Sequence, residues 1–249
     1  IETDPARGVE GSYRIVSRVY GGGVYTVEPG DSVVFSLVIE ALAEDDAEVA
    51  ASADDMWAER KAFLDAVDDN LVLDTPDDVI DTEFRYAKIR ASESIFKTKR
   101  GYMHGPGGES YYAAIWANDQ AEYVNPFFPF LGYGVGNESA LNAYRLFAQY
   151  MYDEYKPIPS SIIAEGDGTW SGAGDRGDAA MIAYGAARYA LTRGDRAEAE
   201  ELWPLIEWCL EYCKRQINDE GVVKSDRDEL EGRFPSGEAN LCTSTLYYD

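Results

Sequence analysis

The chain has one histidine, His104, and three cysteines in 249 residues. A structural or catalytic zinc site needs several imidazole and thiolate ligands close together, so no metal site is expected. Cys209, Cys213 and Cys242 are odd in number and too few for a disulfide framework. Cys209 and Cys213 lie four apart on a helical pattern and read as small core residues. Cations are scarce too: 22 Lys+Arg stand against 46 Asp+Glu, for a net charge of −24. A surface this acidic repels phosphate backbones and anionic lipid, which argues against nucleic acid and membrane partners. Nor is there an apolar run of about 18 residues, so no membrane-spanning helix is expected.

What the chain does have is aromatic residues and acids. At 45% hydrophobic and 13% aromatic it belongs with folded globular proteins, long enough for one large domain or two smaller ones. Most of its 18 Tyr, nine Phe and five Trp belong in cores. The chain opens on Ile1 without a Met and closes on Leu246-Tyr247-Tyr248-Asp249 inside an apparent helix. A piece of a longer protein is therefore expected, its targeting signal not legible and both a cytoplasmic and a secreted bacterial-type setting left open.

Three regions are expected. Residues 1–43 read as the closing strands of a β-sandwich-like domain: Tyr13, Ile15, Ser17 and Val19 alternate, Gly21-Gly22-Gly23 turns the chain, and Val33, Phe35, Leu37 and Ile39 repeat at period two after Pro29-Gly30-Asp31. Residues 44–75 read as a linker helix with Met56, Trp57, Phe63, Leu64 and Val67 as its buried stripe. Thr75-Pro76-Asp77-Asp78 supplies the cap, first-turn proline and acids of the next helix, which turns Ile80, Phe84, Ala87, Ala91 and Ile95 inward. From there to residue 249 helices alternate with long Gly-rich loops. Leu141–Met151, Ala179–Leu191 and Leu202–Ile217 carry helical spacing, Arg193-Gly194-Asp195 turns the chain between the last two, and Leu241–Tyr248 starts another.

Long loops inside a compact domain usually carry function, and here they concentrate aromatics and acids. The first holds Glu109 and Trp116-Ala117-Asn118-Asp119, with Glu122 just beyond. Trp116 can stack on a pyranose face while Asp119 and Glu122 accept hydrogen bonds from sugar hydroxyls. Against this stands a core position for Trp116 and a helix-start role for Asp119. The second runs from Glu165 through Trp170 to Arg176-Gly177-Asp178. Trp170 sits among glycines with little core to join, which suits an exposed stacking role, and Asp178 reads first as an N-cap. The Arg-Gly-Asp tripeptide is too short to mark an adhesion motif. The third holds Asp226, Asp228, Glu229 and Glu231 beside Gly232 and Phe234. Glycoside cleavage needs one carboxyl held protonated and a second carboxylate, and crowded acids in a partly apolar cleft supply the first; the competing reading is a solvated acidic loop.

The order of these loops resembles the six-hairpin (α/α toroid) glycosidases, glucoamylase-like enzymes in particular. Trp116-Ala117-Asn118-Asp119 is similar to that family's Trp-x-Arg-Asp, Trp170 followed by Gly177 and Ala179 to its second-loop Trp and Asp-Gly-Pro-Ala, and Asp228-Glu229-Leu230-Glu231 to its Asp-Leu-Trp-Glu-Glu. The resemblance covers roughly residues 76–249. It implies a mainly α fold, part of an (α/α)6 toroid of helical hairpins behind a few antiparallel strands. It implies Glu231 as the general acid with Asp228 as its neighbour, Trp116, Asn118, Asp119, Glu122, Trp170, Arg176 and Asp178 around a carbohydrate substrate, no cofactor, and a catalytic base beyond Asp249. Asn118 and Leu230 replace the family's Arg and Trp, which weighs against a starch-like substrate. Rhamnosidase-like members share a Trp-x-Gly-Asp loop and a Gly-Asp-Ala-Ala segment like Gly177-Asp178-Ala179-Ala180; in that alignment the acid lies nearest Glu109. A carbohydrate-binding module without catalysis, and a purely structural helical domain, are the readings from other classes.

Overall fold

The computed structural model describes residues 2–4, 14–16, 26–34, 36, 52–106, 114–164, 168–228 and 237–249, the first two segments by backbone alone. The chain divides into two units, Ile1–Ala58 and Glu59–Asp249. In the first, β1 (Glu2–Asp4) pairs antiparallel with β2 (Arg14–Val16), Glu2 opposite Val16. The Pro29-Gly30 turn forms as expected, with Asp31 N–H donating to Glu28 O at 2.9 Å and Gly30 at φ +95°. Asp31–Val34 beyond it are not in a strand. Phe35, Leu37 and Ile39 of the expected strand, like Gly21-Gly22-Gly23, lie outside the described residues.

Helix α1 (Ala53–Asp69) starts at Ser52, whose hydroxyl accepts from Asp55 N–H at 3.1 Å and donates to the Asp55 carboxylate at 2.7 Å, a reciprocal cap. The unit boundary falls within it. Of its expected stripe, Val67 is buried, Phe63 and Leu64 are half-buried, and Met56 and Trp57 are exposed. Helix α2 (Asp78–Glu93) is capped by Asp77 instead of Thr75: the Asp77 side chain accepts from Val79 N–H at 2.9 Å, and Pro76 falls before the cap. The inward face also differs from expectation. Ile80 and Ala87 are exposed, while Lys88 and Ser92 are buried. The reason is chemical, because the Lys88 ammonium donates to Asp68 O at 2.9 Å and Asn70 O at 2.7 Å, satisfying carbonyls that the end of α1 leaves open.

The stretch expected as a long loop is built from short elements. A hairpin, β3 (Ile95–Thr98) and β4 (Gly101–His104), pairs Ile95 with His104. Strand β5 (Ala114–Trp116) leads into a helix carrying a π-turn at Asp119–Val124 and continuing as α3 (Asn125–Leu131). Pro126 and Pro129 remove two helical donors, and at the π-turn Asn125 N–H reaches back to Gln120 O. Strands β6 (Ser161–Ile163) and β7 (Thr169–Trp170) complete a three-stranded antiparallel sheet with β5. Elements of two to four residues, and a helix with two prolines, carry too little periodicity to be read from sequence.

The remaining helices are α4 (Gly134–Ala148), which starts well before Leu141 and ends short of Met151, and α5 (Asp178–Arg193), α6 (Arg196–Arg215) and α7 (Leu241–Tyr248), which lie close to where the sequence put them. Between α5 and α6, Gly194 in the left-handed region closes one helix and the Asp195 carboxylate caps the next, accepting from Ala197 N–H at 2.8 Å. Among the described residues the chain is mainly helical, with seven α-helices and a few antiparallel strands.

Helix α5 lies at the centre of the core and packs against α3, α6, α7 and the π-turn. Its Ala-rich sequence makes that possible, and Gly185 marks the closest approach. A β-carbon there would stand 2.2 Å from Ala121 O, a backbone atom of the π-turn. Gly185→Ala would normally favour a helix by about 1 kcal/mol. Here it is expected to destabilise the fold by about 2 kcal/mol or more through overpacking, read as a lower urea midpoint.

His104 is buried, and the Gln120 amide nitrogen both donates to His104 O at 2.8 Å and lies 3.2 Å from its Nδ1. Nδ1 is therefore the acceptor, and the ring is neutral with its proton on Nε2. Burial lowers its pKa to about 4. The unfolded ring protonates near pH 6.5, so as pH falls from there the unfolded state takes up the proton first. Stability present above about pH 6.5 is lost towards pH 4, by roughly 3 kcal/mol in full. Denaturant titrations across that range should show the loss, and His104→Gln should remove this part of it.

Candidate functional site

The site is assembled around the small sheet. Ser161 on the central strand pairs with Trp116 on one side and Trp170 on the other. Directly paired residues point to the same face of a sheet. Ser161 is fully buried and small, so the two indoles reach across it, with ring centroids 5.2 Å apart at 53°. Both tryptophans are half-buried. Trp170 is thus not the isolated ring among glycines that its sequence context suggests, and Trp116 is not a core residue.

Against this pair packs the guanidinium of Arg176, 5.6 Å from the Trp116 ring and 5.9 Å from that of Trp170. Its Nε donates to Ser160 Oγ at 3.0 Å, and Nη2 donates to Asp178 Oδ1 at 3.2 Å and to Asn118 Oδ1 at 3.5 Å. The other Asp178 oxygen accepts from Ser160 Oγ at 2.8 Å and from Arg176 N–H at 3.3 Å. The Arg176 and Asp178 side chains are each 1% exposed, so what they offer a ligand is the orientation of the indoles and of Asn118. Burial pushes the Asp178 carboxyl up to about 6 against the pull of Arg176, which leaves it ionised at neutral pH. Asp178 is also not the cap of α5. Gly177 holds that position at φ +87°, where a β-carbon would collide with Thr243 Oγ at 2.2 Å, and Asp178 turns away to its Arg and Ser partners.

Asp119 opens the π-turn and Glu122 lies within it; both are half-buried. Cys242 Sγ, on α7, lies 4.0 Å from Glu122 Oε1. The acidic third loop is tied in at both ends. Asp226 Oδ2 accepts from Asp175 N–H at 2.8 Å, while Asp226 N–H and Arg227 N–H donate to Asp175 O at 2.8 and 3.0 Å. On its far side, Asn240 donates to Ser225 Oγ at 2.6 Å and Arg227 O at 3.1 Å, and Thr243 packs on Gly177. Asp228 is half-buried on this stem. Glu231 and Glu229, like Glu109, lie outside the described residues.

Sequence reading missed Ser160, Ser161 and Asp175. Asp175 is the hub between the second and third loops: besides its backbone bonds, its carboxylate accepts from Gly177 N–H at 2.8 Å and from Tyr212 Oη at 2.5 Å. Burial raises its pKa, opposed by the Tyr212 hydrogen bond. The Pro159-Ser160-Ser161-Ile162-Ile163 run offers a strand signal, but nothing in it marks two serines as the sheet's contact with a buried ion pair. Among the described residues no cluster of His, Cys, Asp and Glu is arranged to hold a metal ion, and no helix is long and apolar enough to cross a membrane. No protein-family model, curated protein or solved structure matches this chain.

Proposed function

We propose that this protein is a glycoside hydrolase of the six-hairpin toroid type, cleaving O-glycosidic bonds of an oligosaccharide or glycoconjugate. The observation that carries the reading is the meeting of Trp116 and Trp170 over the Arg176–Asp178 pair, beside the stem of the acidic third loop. Paired indoles offer apolar faces to a pyranose, and Asn118, Asp119 and Glu122 on the adjoining helix supply polar groups for its hydroxyls. The α5–α6 hairpin, closed by one glycine and one capping acid, suits a barrel of helical hairpins.

In this reading Glu231 protonates the leaving oxygen, with Asp228 as the second acid of the same chain segment. Asp119 grips the terminal sugar, and Trp116 and Trp170 stack on it. The base, which the family resemblance puts downstream of Asp249, activates water on the opposite face, giving inversion. The chemistry asks for no metal or organic cofactor. The test is a screen of the full-length protein against neutral O-glycosides. Sugar release is expected, and Asp119→Asn should lower kcat/KM by about a hundredfold, because a group built to accept hydroxyls is lost at the reacting sugar. Sugar binding without release from any glycoside would favour the non-catalytic module instead.

A further inference from the structure

A cavity of about 560 Å³ is lined in part by Asp175 and Tyr212. Its size is that of a small-molecule site. One wall is stiff. Tyr155 stacks on Trp208 at 5.2 Å and 9°, Trp208 stacks on Tyr212 at 5.7 Å and 12°, and the Arg215 guanidinium covers the other face of Tyr155 at 3.7 Å. Tyr155 is also one of two described non-glycine residues with positive φ, at +51°. A bulky aromatic held in the left-handed region is strained, and such strain gathers at ligand sites.

The remaining lining is polar and mixed. Asp175, Asp226 and Glu238 supply acceptors, Lys224 supplies an ammonium, and Gln216 supplies both a donor and an acceptor. The side chains of Lys224 and Gln216 make no hydrogen bond or ion pair with one another or with other described residues. An anion would meet three carboxylates against one cation, and an apolar ligand would strip water from all of them. A cation would face the Lys224 ammonium and carboxylates already engaged, Asp175 by Gly177 N–H and Tyr212 Oη and Asp226 by Asp175 N–H, whereas a neutral polyhydroxylated ligand, whose hydroxyls both donate and accept, pairs with Lys224, Gln216 and the acids alike.

We infer that this cavity is an accessory saccharide-binding subsite, separated from the tryptophan pair by the Asp175–Arg176 backbone. The inference rests on the carbohydrate reading above and adds a second contact region for a sugar unit. Asp175 links the two, its carboxylate fixed by Tyr212 on the cavity side while its chain neighbour Arg176 supports the indoles.

The test is a backbone NMR titration of the chain with neutral methyl glycosides of the gluco, galacto, manno and rhamno series at millimolar concentration. Saturable shifts at Tyr155, Gln216 and Lys224 are expected. They should weaken about fivefold or more in Gln216→Ala/Lys224→Ala, through loss of two hydrogen-bonding groups, and persist in Trp116→Ala. Those two cavity residues are exposed or half-buried, so the double variant should fold as the parent does. Shifts confined to Trp116 and Trp170 would overturn the subsite and leave the glycosidase reading standing. No shift at either place with any of the four sugars would overturn both.

Discussion

Arg176→Ala should destabilise the protein by about 3–5 kcal/mol at neutral pH, because it leaves the Asp178 carboxylate buried without its counter-ion. The parent pair is 1% exposed on both sides, so water cannot replace the guanidinium. The loss should depend on pH in a defined direction. Burial already raises the Asp178 pKa to about 6, above the value near 4 of an unfolded aspartate. Between those values the folded state holds the proton more tightly, so the cost of ionising Asp178 appears as pH rises and is absent below about 4. Removing Arg176 pushes the folded pKa higher still, so the variant's deficit should be largest near pH 8 and shrink towards pH 5. Urea unfolding at both values checks this. Arg176→Met/Asp178→Leu, which removes both charges and keeps most of the volume, should recover much of the stability. A deficit below about 1 kcal/mol at neutral pH would mean the pair does not hold the sheet to α5.

On the proposed glycosidase reading, Glu231→Gln should lower kcat by about 10²–10⁴-fold, the contribution of a positioned general acid, while sugar binding survives. Glutamine keeps the shape and hydrogen bonds of a protonated glutamate but has no proton to give. The deficit should therefore be smaller for aryl glycosides, whose leaving oxygen departs without protonation, than for natural linkages. Comparison of kcat on the two substrate types separates loss of proton transfer from loss of fold. Equal activity of variant and parent on a natural linkage would remove Glu231 from the chemistry.

Helices α5 and α6 were legible because each repeats apolar residues at helical spacing over a long stretch, and Gly194-Asp195 marks the joint between them. The buried face of α6, with Leu202, Leu205, Ile206, Cys209 and Cys213, follows that spacing directly. Tyr212 joins that face as well, and its hydroxyl is the part that matters, since it donates to a carboxylate in the second loop. The sheet was illegible because its strands are two or three residues long. The candidate site was legible only as separate aromatic and acidic loops. Arg176 illustrates the limit: in sequence it is a charged residue among glycines, yet it is buried because Ser160, Asp178 and two tryptophans from distant segments close around it. The α2 face failed for a related reason, since Lys88 is drawn inward by carbonyls at the end of another helix.

Trp116 and Trp170 are proposed to wall a saccharide pocket, and their own emission reports whether sugar reaches them. Titration of the protein with a neutral glycoside should give a saturable change in tryptophan fluorescence, and Trp116→Ala/Trp170→Ala should remove most of it, leaving only what Trp208 reports from its stack with Tyr155 and Tyr212. A sugar-induced signal of undiminished size in that double variant would show that neither indole touches the sugar.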